Sequence, residues 1–330
     1  MALVEELWSC LPKVREWQSR AKAMIRRREF LAGLLAAPAL DAAHVIPESV
    51  LVHEHILVDF GGVKNPSKYD RSEVLRAARP HLEEVKKYGC VRLLECTPQG
   101  LGRDPRLMDL LAQAAGLEIW TNTGVYGAAN RSAVPEWAWK EDARQMARRF
   151  VAEWKKGVDG VRPRFIKTAV NGYPLDELDR RLIEAAALTS LETGMTIASH
   201  TNGGGRAAEA QLEILDKLRC PMRKFVWVHA QSEKDHAYHE RVARAGAWVE
   251  FDAIGPKTRD WHLDCARFME GKGLLDRSLV SQDSGWYNPA EPGGGEYRGY
   301  TYIYTDFLPA LGAEASKQLM VINPRQAFGN

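Results

Sequence analysis

Six residues in this chain combine a type and a placement that could hold metal and move a proton: His53, His55, Lys167, His200, His229 and Asp283. His53 and His55 lie two apart in the apolar run VLVHEHILVDF, so in a strand both imidazoles project from one face. Such a pair can grip one ion through neutral ring nitrogens, although most pairs on this spacing are surface or packing residues. Asp283 follows the apolar LVSQ, where a carboxylate is expensive to bury without a partner. A metal ion would be such a partner, and the same aspartate could take a proton from an attacking water. A cap or turn is the plainer role for Asp before Ser-Gly.

Lys167 lies in RFIKTAV, among apolar residues that disfavour a charged ammonium. A salt bridge, a free amine of depressed pKa, or carbamylation by carbon dioxide to an anionic bridging ligand would each relieve that cost. His200 in TIASHT and His229 in VWVHA each end an apolar run. Singly, such a histidine is more often a hydrogen-bonded core residue than a ligand. Together, four histidines, a lysine and an aspartate give a complete donor set for two divalent ions.

The elements that must position these residues are short apolar runs alternating with helical segments from residue 50 onward, the pattern of βα units and a parallel sheet. Eight strands are predicted: VLVHEHILVDF, CVRLLECTP, LEIWTNTGVYG, RFIKTAV, MTIASHT, KFVWVHA, AWVEFDAIG and SLVSQDSGW. Between the fourth and fifth, Leu175, Leu178, Leu182, Ile183 and Ala186 recur at helical spacing, and Gly194 is placed to end that helix. The six polar residues fall on strands one, four, five, six and eight. They converge as a closed barrel requires, and no GxGxxG follows the first strand to suggest a dinucleotide fold. The expected class is therefore α/β, a (β/α)₈ TIM barrel over 48–330 with a binuclear metal site at the C-terminal ends of its strands. The long segment SGWYNPAEPGGGEYRGYTYIY after strand eight is expected to shape the substrate pocket. Trp286 at its head and Tyr126 after the third strand are candidate pocket walls.

Composition fits one large globular core: 330 residues, 45% hydrophobic and 27% charged, with a net charge of +2. Residues 1–39 contribute +3 of that charge, seven Lys/Arg against four Glu, so the remainder carries −1. A near-neutral body gives no sign of nucleic-acid or anionic-membrane binding. Cys10, Cys90, Cys96, Cys220 and Cys265 include no CxxC pair, which indicates neither a thiolate zinc site nor a disulfide framework. In the 1–47 extension, Arg26-Arg27-Arg28 runs into a short apolar stretch and Ala37-Pro38-Ala39. This resembles a twin-arginine export signal, with periplasmic location as its consequence, and Met24 as a candidate start. A helix packed on the barrel, in a cytoplasmic protein, is the alternative. The apolar stretch is too short to span a bilayer.

The chain resembles the phosphotriesterase and phosphotriesterase-like lactonase branch of the amidohydrolase superfamily. The matching motifs are HEH in the first strand, ECTPQGLGRD (95–104), IKTAVNG around Lys167, ASHT, VHAQ, SQDSGW with the following GGGEYRGYT, and NPRQAFG near the end. The resemblance implies that His53, His55 and Asp283 hold the more buried metal and His200 and His229 the more exposed one. A carboxylated Lys167 and a hydroxide would bridge them, and Asp283 would shuttle the proton to the leaving group. It also allows a homodimer. Two positions depart from the family: Asp252 is followed by Ala253 where members often carry Arg or His, and Ser232 stands where some place an acidic residue. Neither change touches the metals, but both bear on proton relay and substrate. The expected activity is metal-dependent hydrolysis of a lactone or related carboxylic ester, with phosphotriester hydrolysis as the close rival and a metal-keeping binding protein as the non-enzymatic alternative. Lys167 argues against a mononuclear deaminase. The expected ions are two divalent metals, zinc first, with cobalt, manganese or iron as alternatives, and the partner is a small ester, lactone or organophosphate.

Overall fold

The computed structural model describes residues 45–329; the export signal expected at 26–39 and Cys10 lie outside them. The chain order is strand and helix in alternation, all strand pairings being parallel. Strand β1 is Ser49–Glu54, β2 Cys90–Glu95, β3 Glu118–Trp120, β4 Asn122–Thr123, β5 Phe165–Val170, β6 Ile197–Thr201, β7 Phe225–Val228, β8 Trp248–Phe251 and β9 Ser278–Val280. They pair in the order β1-β2-β3 and β4-β5-β6-β7-β8-β9. The barrel closes beyond β9, where Asp283 N–H donates to His53 O (3.1 Å), His55 N–H to Ser284 O (2.8 Å) and Tyr287 N–H to Ile56 O (2.9 Å). The expected (β/α)₈ barrel is what the chain forms.

One predicted strand is broken. LEIWTNTGVYG is read above as continuous, but its first part pairs with β2 and its second with β5, with Thr121 between them. The ladder across this gap is replaced by a side chain: the Asn122 amide donates to Glu95 O and Thr97 O, both at 3.0 Å. Buried carbonyls need donors, and a side-chain amide serves where the backbone has turned away.

The helices that cover the barrel include α1 Arg71–Lys86, α2 Pro105–Ala115, α3 Glu136–Lys140, α4 Ala143–Lys156, α5 Glu177–Thr193, α6 Gly204–Lys217, α7 His236–Arg244 and α8 Arg259–Gly271. In α5 the Asp176 carboxylate accepts from Asp179 N–H at 2.8 Å, and Gly194 ends the helix in the left-handed conformation at φ 75°. Leu178, Leu182, Ile183 and Ala186 are buried, so the apolar stripe faces the barrel as its spacing predicts. No helix among the described residues is long and apolar enough to cross a membrane.

Inside the barrel, Val50, Val52, Leu94, Phe165, Ala198, Val226, Trp248 and Leu279 form a dry floor. Along β5, Lys167 follows Phe165 on the same face, and along β8, Glu250 follows Trp248, so the floor gives way to polar groups toward the C-terminal ends. Strand β1 needs a further device. Its register against β2 shifts between Leu51 and Glu54, which turns the inward phase from Val50 and Val52 to His53 and His55. Glu54 then points between β1 and β9, accepting from Ser281 Oγ (2.8 Å), Gln282 N–H (2.9 Å) and Ser284 N–H (2.7 Å).

Candidate metal centre

All six predicted ligands meet at the C-terminal mouth. Lys167 Nζ, on β5 and 2% exposed, lies 3.1 Å from His53 Nε2. His55 Nε2 is 3.2 Å from Asp283 Oδ1. The His229 ring stands 5.1 Å from that of His53 and 4.3 Å from that of His200, centroid to centroid. His53, His229 and Asp283 each offer a donor atom within 4.8 Å of the others.

The hydrogen bonds behind these rings fix which nitrogen faces the centre. His53 Nδ1 faces Glu250 Oε1 at 2.9 Å and Asp252 Oδ2 at 3.2 Å, so Nδ1 carries a proton. His229 Nδ1 donates to Asp252 Oδ1 at 2.6 Å. Thr97 Oγ1 gives its proton to Leu57 O (2.9 Å) and therefore accepts from His55 Nδ1 at 2.8 Å. Three imidazoles thus turn Nε2 inward, the arrangement in which a carboxylate or hydroxyl behind a ring sets its tautomer and orientation for metal binding. His200 is held differently: the Tyr126 hydroxyl is 3.2 Å from its Nδ1 and 3.3 Å from its Nε2, and Asn202 Oδ1 is 3.1 Å from Nε2.

Burial pulls His55 down to about 4 and His200 well below the ordinary imidazole range, leaving two neutral rings with lone pairs. His53 goes the other way: burial and Lys167 lower it, but Cys96, Glu250 and Asp252 outweigh them and raise it well above that range, so an ion at its Nε2 would displace a proton. Burial pushes Asp252 up, but the His229 and His53 charges and hydrogen bonds outweigh it and hold the carboxylate ionised. Asp283 is likewise held well below its usual range by His55 and its neighbours, against the opposing effect of burial.

A metal pair fits these residues. Asp283 Oδ1 and Glu250 Oε2 are buried polar atoms without a hydrogen-bond partner among the described residues; the His55 contact with Asp283 has ion-pair distance but not hydrogen-bond alignment. Asp283 is held ionised, and a buried, ionised oxygen without a donor is costly unless a cation meets it; burial raises Glu250 instead. Glu250 and Asp252 could also form a donor set with His53. Asp252, however, is already engaged by His229 N–H (3.1 Å), His229 Nδ1 and Gln231 Nε2 (2.8 Å), so it orients rings rather than offering a free ligand atom.

The backbone at the mouth is strained where it carries function. His229, Asp283 and Trp286 have φ of 64°, 50° and 78°, a region non-glycine residues rarely adopt. Trp286 Nε1 donates to Asp283 O at 2.9 Å, and the Arg298 guanidinium donates to the same carbonyl. The Trp286 ring meets His55 edge-on at 5.5 Å and Phe60 at 5.5 Å. Tyr126 thus stands against His200 and Trp286 against His55. Sequence reading missed Glu250, Thr97 and Gln231, and took Asp252 only as a family landmark. The available signal was two carboxylates at i and i+2 in the apolar strand AWVEFD, which share a face and need partners there.

The model of the phosphotriesterase family matches residues 40–328. The phosphotriesterase homology protein of Escherichia coli strain K12 is 24% identical over 289 residues, covering 84% of this chain and 97% of that protein. An aryldialkylphosphatase from Saccharolobus solfataricus is 25% identical over 209 residues, 62% of this chain and 66% of that one. A solved structure described as the engineering of organophosphate hydrolysis activity from a weak promiscuous lactonase template superposes with a TM-score of 0.77 at 26% identity, covering 87% of this chain and 97% of its own.

Proposed function

The chain belongs to the phosphotriesterase family, a family of metal-dependent hydrolases, and from that premise we propose that it hydrolyses lactones or related carboxylic esters at the His53–Asp283 centre. The observation that carries the proposal is the inward-facing Nε2 set of His53, His55 and His229, fixed from behind by Glu250, Asp252 and Thr97. His53, His55 and Asp283 would hold one divalent ion, His200 and His229 the other. Lys167, as a carbamate, would reach both; an ammonium would first lose one proton, and addition of carbon dioxide to the resulting neutral amine releases a second and leaves an anion. Two such ions supply an acidified water and polarise the oxygen of the bond under attack.

The chain's own residues do the rest. Asp283, its carbonyl clamped by Trp286 and Arg298, holds Oδ1 at the centre to take the proton of the attacking water and pass it to the leaving oxygen. The Tyr126 hydroxyl, beside His200, is placed to donate to the carbonyl oxygen of a substrate. Trp286 and Phe60 offer an apolar wall to an acyl or alkyl chain and exclude water from it. Phosphotriester hydrolysis is the second reading, favoured by the aryldialkylphosphatase among the relatives, since the same donors serve a phosphoryl oxygen. Export through residues 26–39 belongs to the proposal too, and cell fractionation tests it.

The test is to assay the metal-loaded protein on aliphatic lactones, aryl esters and a phosphotriester in parallel with Asp283→Asn. Lactone or ester turnover that dies in the variant is the expected result. Turnover of the phosphotriester alone would move the assignment to the second reading, and unchanged rates in Asp283→Asn would refute the proton role.

A further inference from the structure

Beside the barrel, between α7 and α8, a second group of metal-capable side chains gathers: His236, His239 and Cys265, with donor atoms all within 4.8 Å of one another. His236 and His239 are one helical turn apart and share a face. Their Nδ1 atoms face each other at 3.0 Å. The far nitrogen of each ring is already committed: His239 Nε2 lies 2.8 Å from Ala230 O, and His236 Nε2 lies 2.9 Å from Asp264 Oδ2. A carbonyl only accepts, so His239 Nε2 bears the proton and its Nδ1 presents a lone pair. A carboxylate at Nε2 orders His236 in the same sense. Two lone pairs aimed at one another call for a cation between them, either a proton or a metal ion.

The geometry points to a third metal site, in which His236 Nδ1, His239 Nδ1 and Cys265 Sγ bind a zinc-type divalent ion. Zinc takes nitrogen at about 2.0–2.1 Å and thiolate sulfur at about 2.3 Å, and tetrahedral angles then put the donors roughly 3.3–3.6 Å apart. The two Nδ1 atoms, 3.0 Å apart, need to open by a few tenths of an ångström, and the thiol stands within 4.8 Å of both donor nitrogens. An N,N,S set selects zinc-like ions over magnesium or calcium. The carboxylate and carbonyl behind the two imidazoles are the supports that metal-binding histidines use.

The surroundings favour an ion. Burial lowers His239 to about 4, so at neutral pH it is a ligand and not a competitor for protons. Burial also pushes the Cys265 thiol up to about 12, a cost that an ion must offset by displacing the proton, so metal uptake there releases one. His236 stacks on Phe268 at 4.4 Å and on Trp261 at 5.0 Å, which fixes the ring plane. Its side chain is 20% exposed and gives an ion a way in. The centre described above has no sulfur donor, so thiolate spectroscopy separates the two.

The experiment is to titrate the metal-free full chain with cobalt(II) and follow the near-ultraviolet thiolate-to-cobalt charge-transfer band. The expected result is a band that saturates at one thiolate-bound cobalt per chain, is displaced by zinc and disappears in Cys265→Ser. It should survive in Cys96→Ser and Cys10→Ser. Asp264→Asn, at a side chain 63% exposed where folding is not at risk, should weaken the site on the order of 10–100-fold. No band from the cobalt-saturated wild type, or a band that persists in Cys265→Ser, overturns the assignment and leaves a proton shared by the two histidines.

Discussion

Asp252→Asn tests whether the carboxylate behind the rings governs the metals. Asp252 Oδ1 accepts from His229 Nδ1 (2.6 Å) and Gln231 Nε2 (2.8 Å); Oδ2 accepts from His229 N–H (3.1 Å) and His53 Nδ1 (3.2 Å). An amide cannot satisfy both pairs, because whichever side its nitrogen takes, two N–H donors then face an NH₂ group. His53 retains Glu250 at 2.9 Å, whereas the His229 ring is oriented by Asp252, so the loss should fall on the ion proposed for His200 and His229. Removing an outer hydrogen-bond partner of a metal-binding histidine weakens metal binding about 10–100-fold, or ~1.4–2.8 kcal/mol. Competition with a chromophoric chelator, with circular dichroism to verify folding, should show one affinity reduced by that factor and the other nearly intact. A folded variant in which both affinities are unchanged would refute the orientation argument.

Three further outcomes follow from the same contacts. Tyr126→Phe, removing the hydroxyl 3.2 Å from His200 Nδ1, should lower kcat by about tenfold or less, one neutral hydrogen bond being worth ~1 kcal/mol, with metal content unchanged. Gly285→Ala should lose the site altogether: its Cβ would lie 1.8 Å from His55 O at a φ of +98°, and depressed thermal stability together with reduced bound metal would show it. Asp104 accepts from Arg71 Nε (2.7 Å), Tyr69 Oη (2.8 Å) and Leu107 N–H (3.0 Å); burial raises its pKa, but these bonds outweigh it and the net shift is downward. Because the folded pKa is depressed, its stabilisation is complete above the usual carboxylate value and fades as pH falls through the folded one. Asp104→Ala should therefore cost ~1–3 kcal/mol at neutral pH by urea denaturation and progressively less in acid.

Much of the site was legible because metal chemistry admits few residue types and a barrel brings them to strand ends. His53, His55, Lys167, His200, His229 and Asp283 are recognisable from apolar runs that end in the wrong kind of residue. The helix over 177–193 was legible from its stripe and its Gly194 stop. What stayed hidden depends on backbone detail that side-chain patterns do not encode. The slip in β1 and the break at Thr121 change which face a residue occupies without altering hydropathy. The left-handed conformations of His229, Asp283 and Trp286 run against local preference and persist because the surrounding structure holds them. His236, His239 and Cys265 escaped for another reason: the donors sit on two helices, so no short spacing links the thiol to the rings.

The most direct test of the central claim is the number of metal ions per chain, counted in a Cys265→Ser background so that the thiol between α7 and α8 cannot contribute. Two ions per chain, falling to one or none when Lys167→Ala is added, is the expected result. A single ion in the parent, or two ions retained without Lys167, would contradict it.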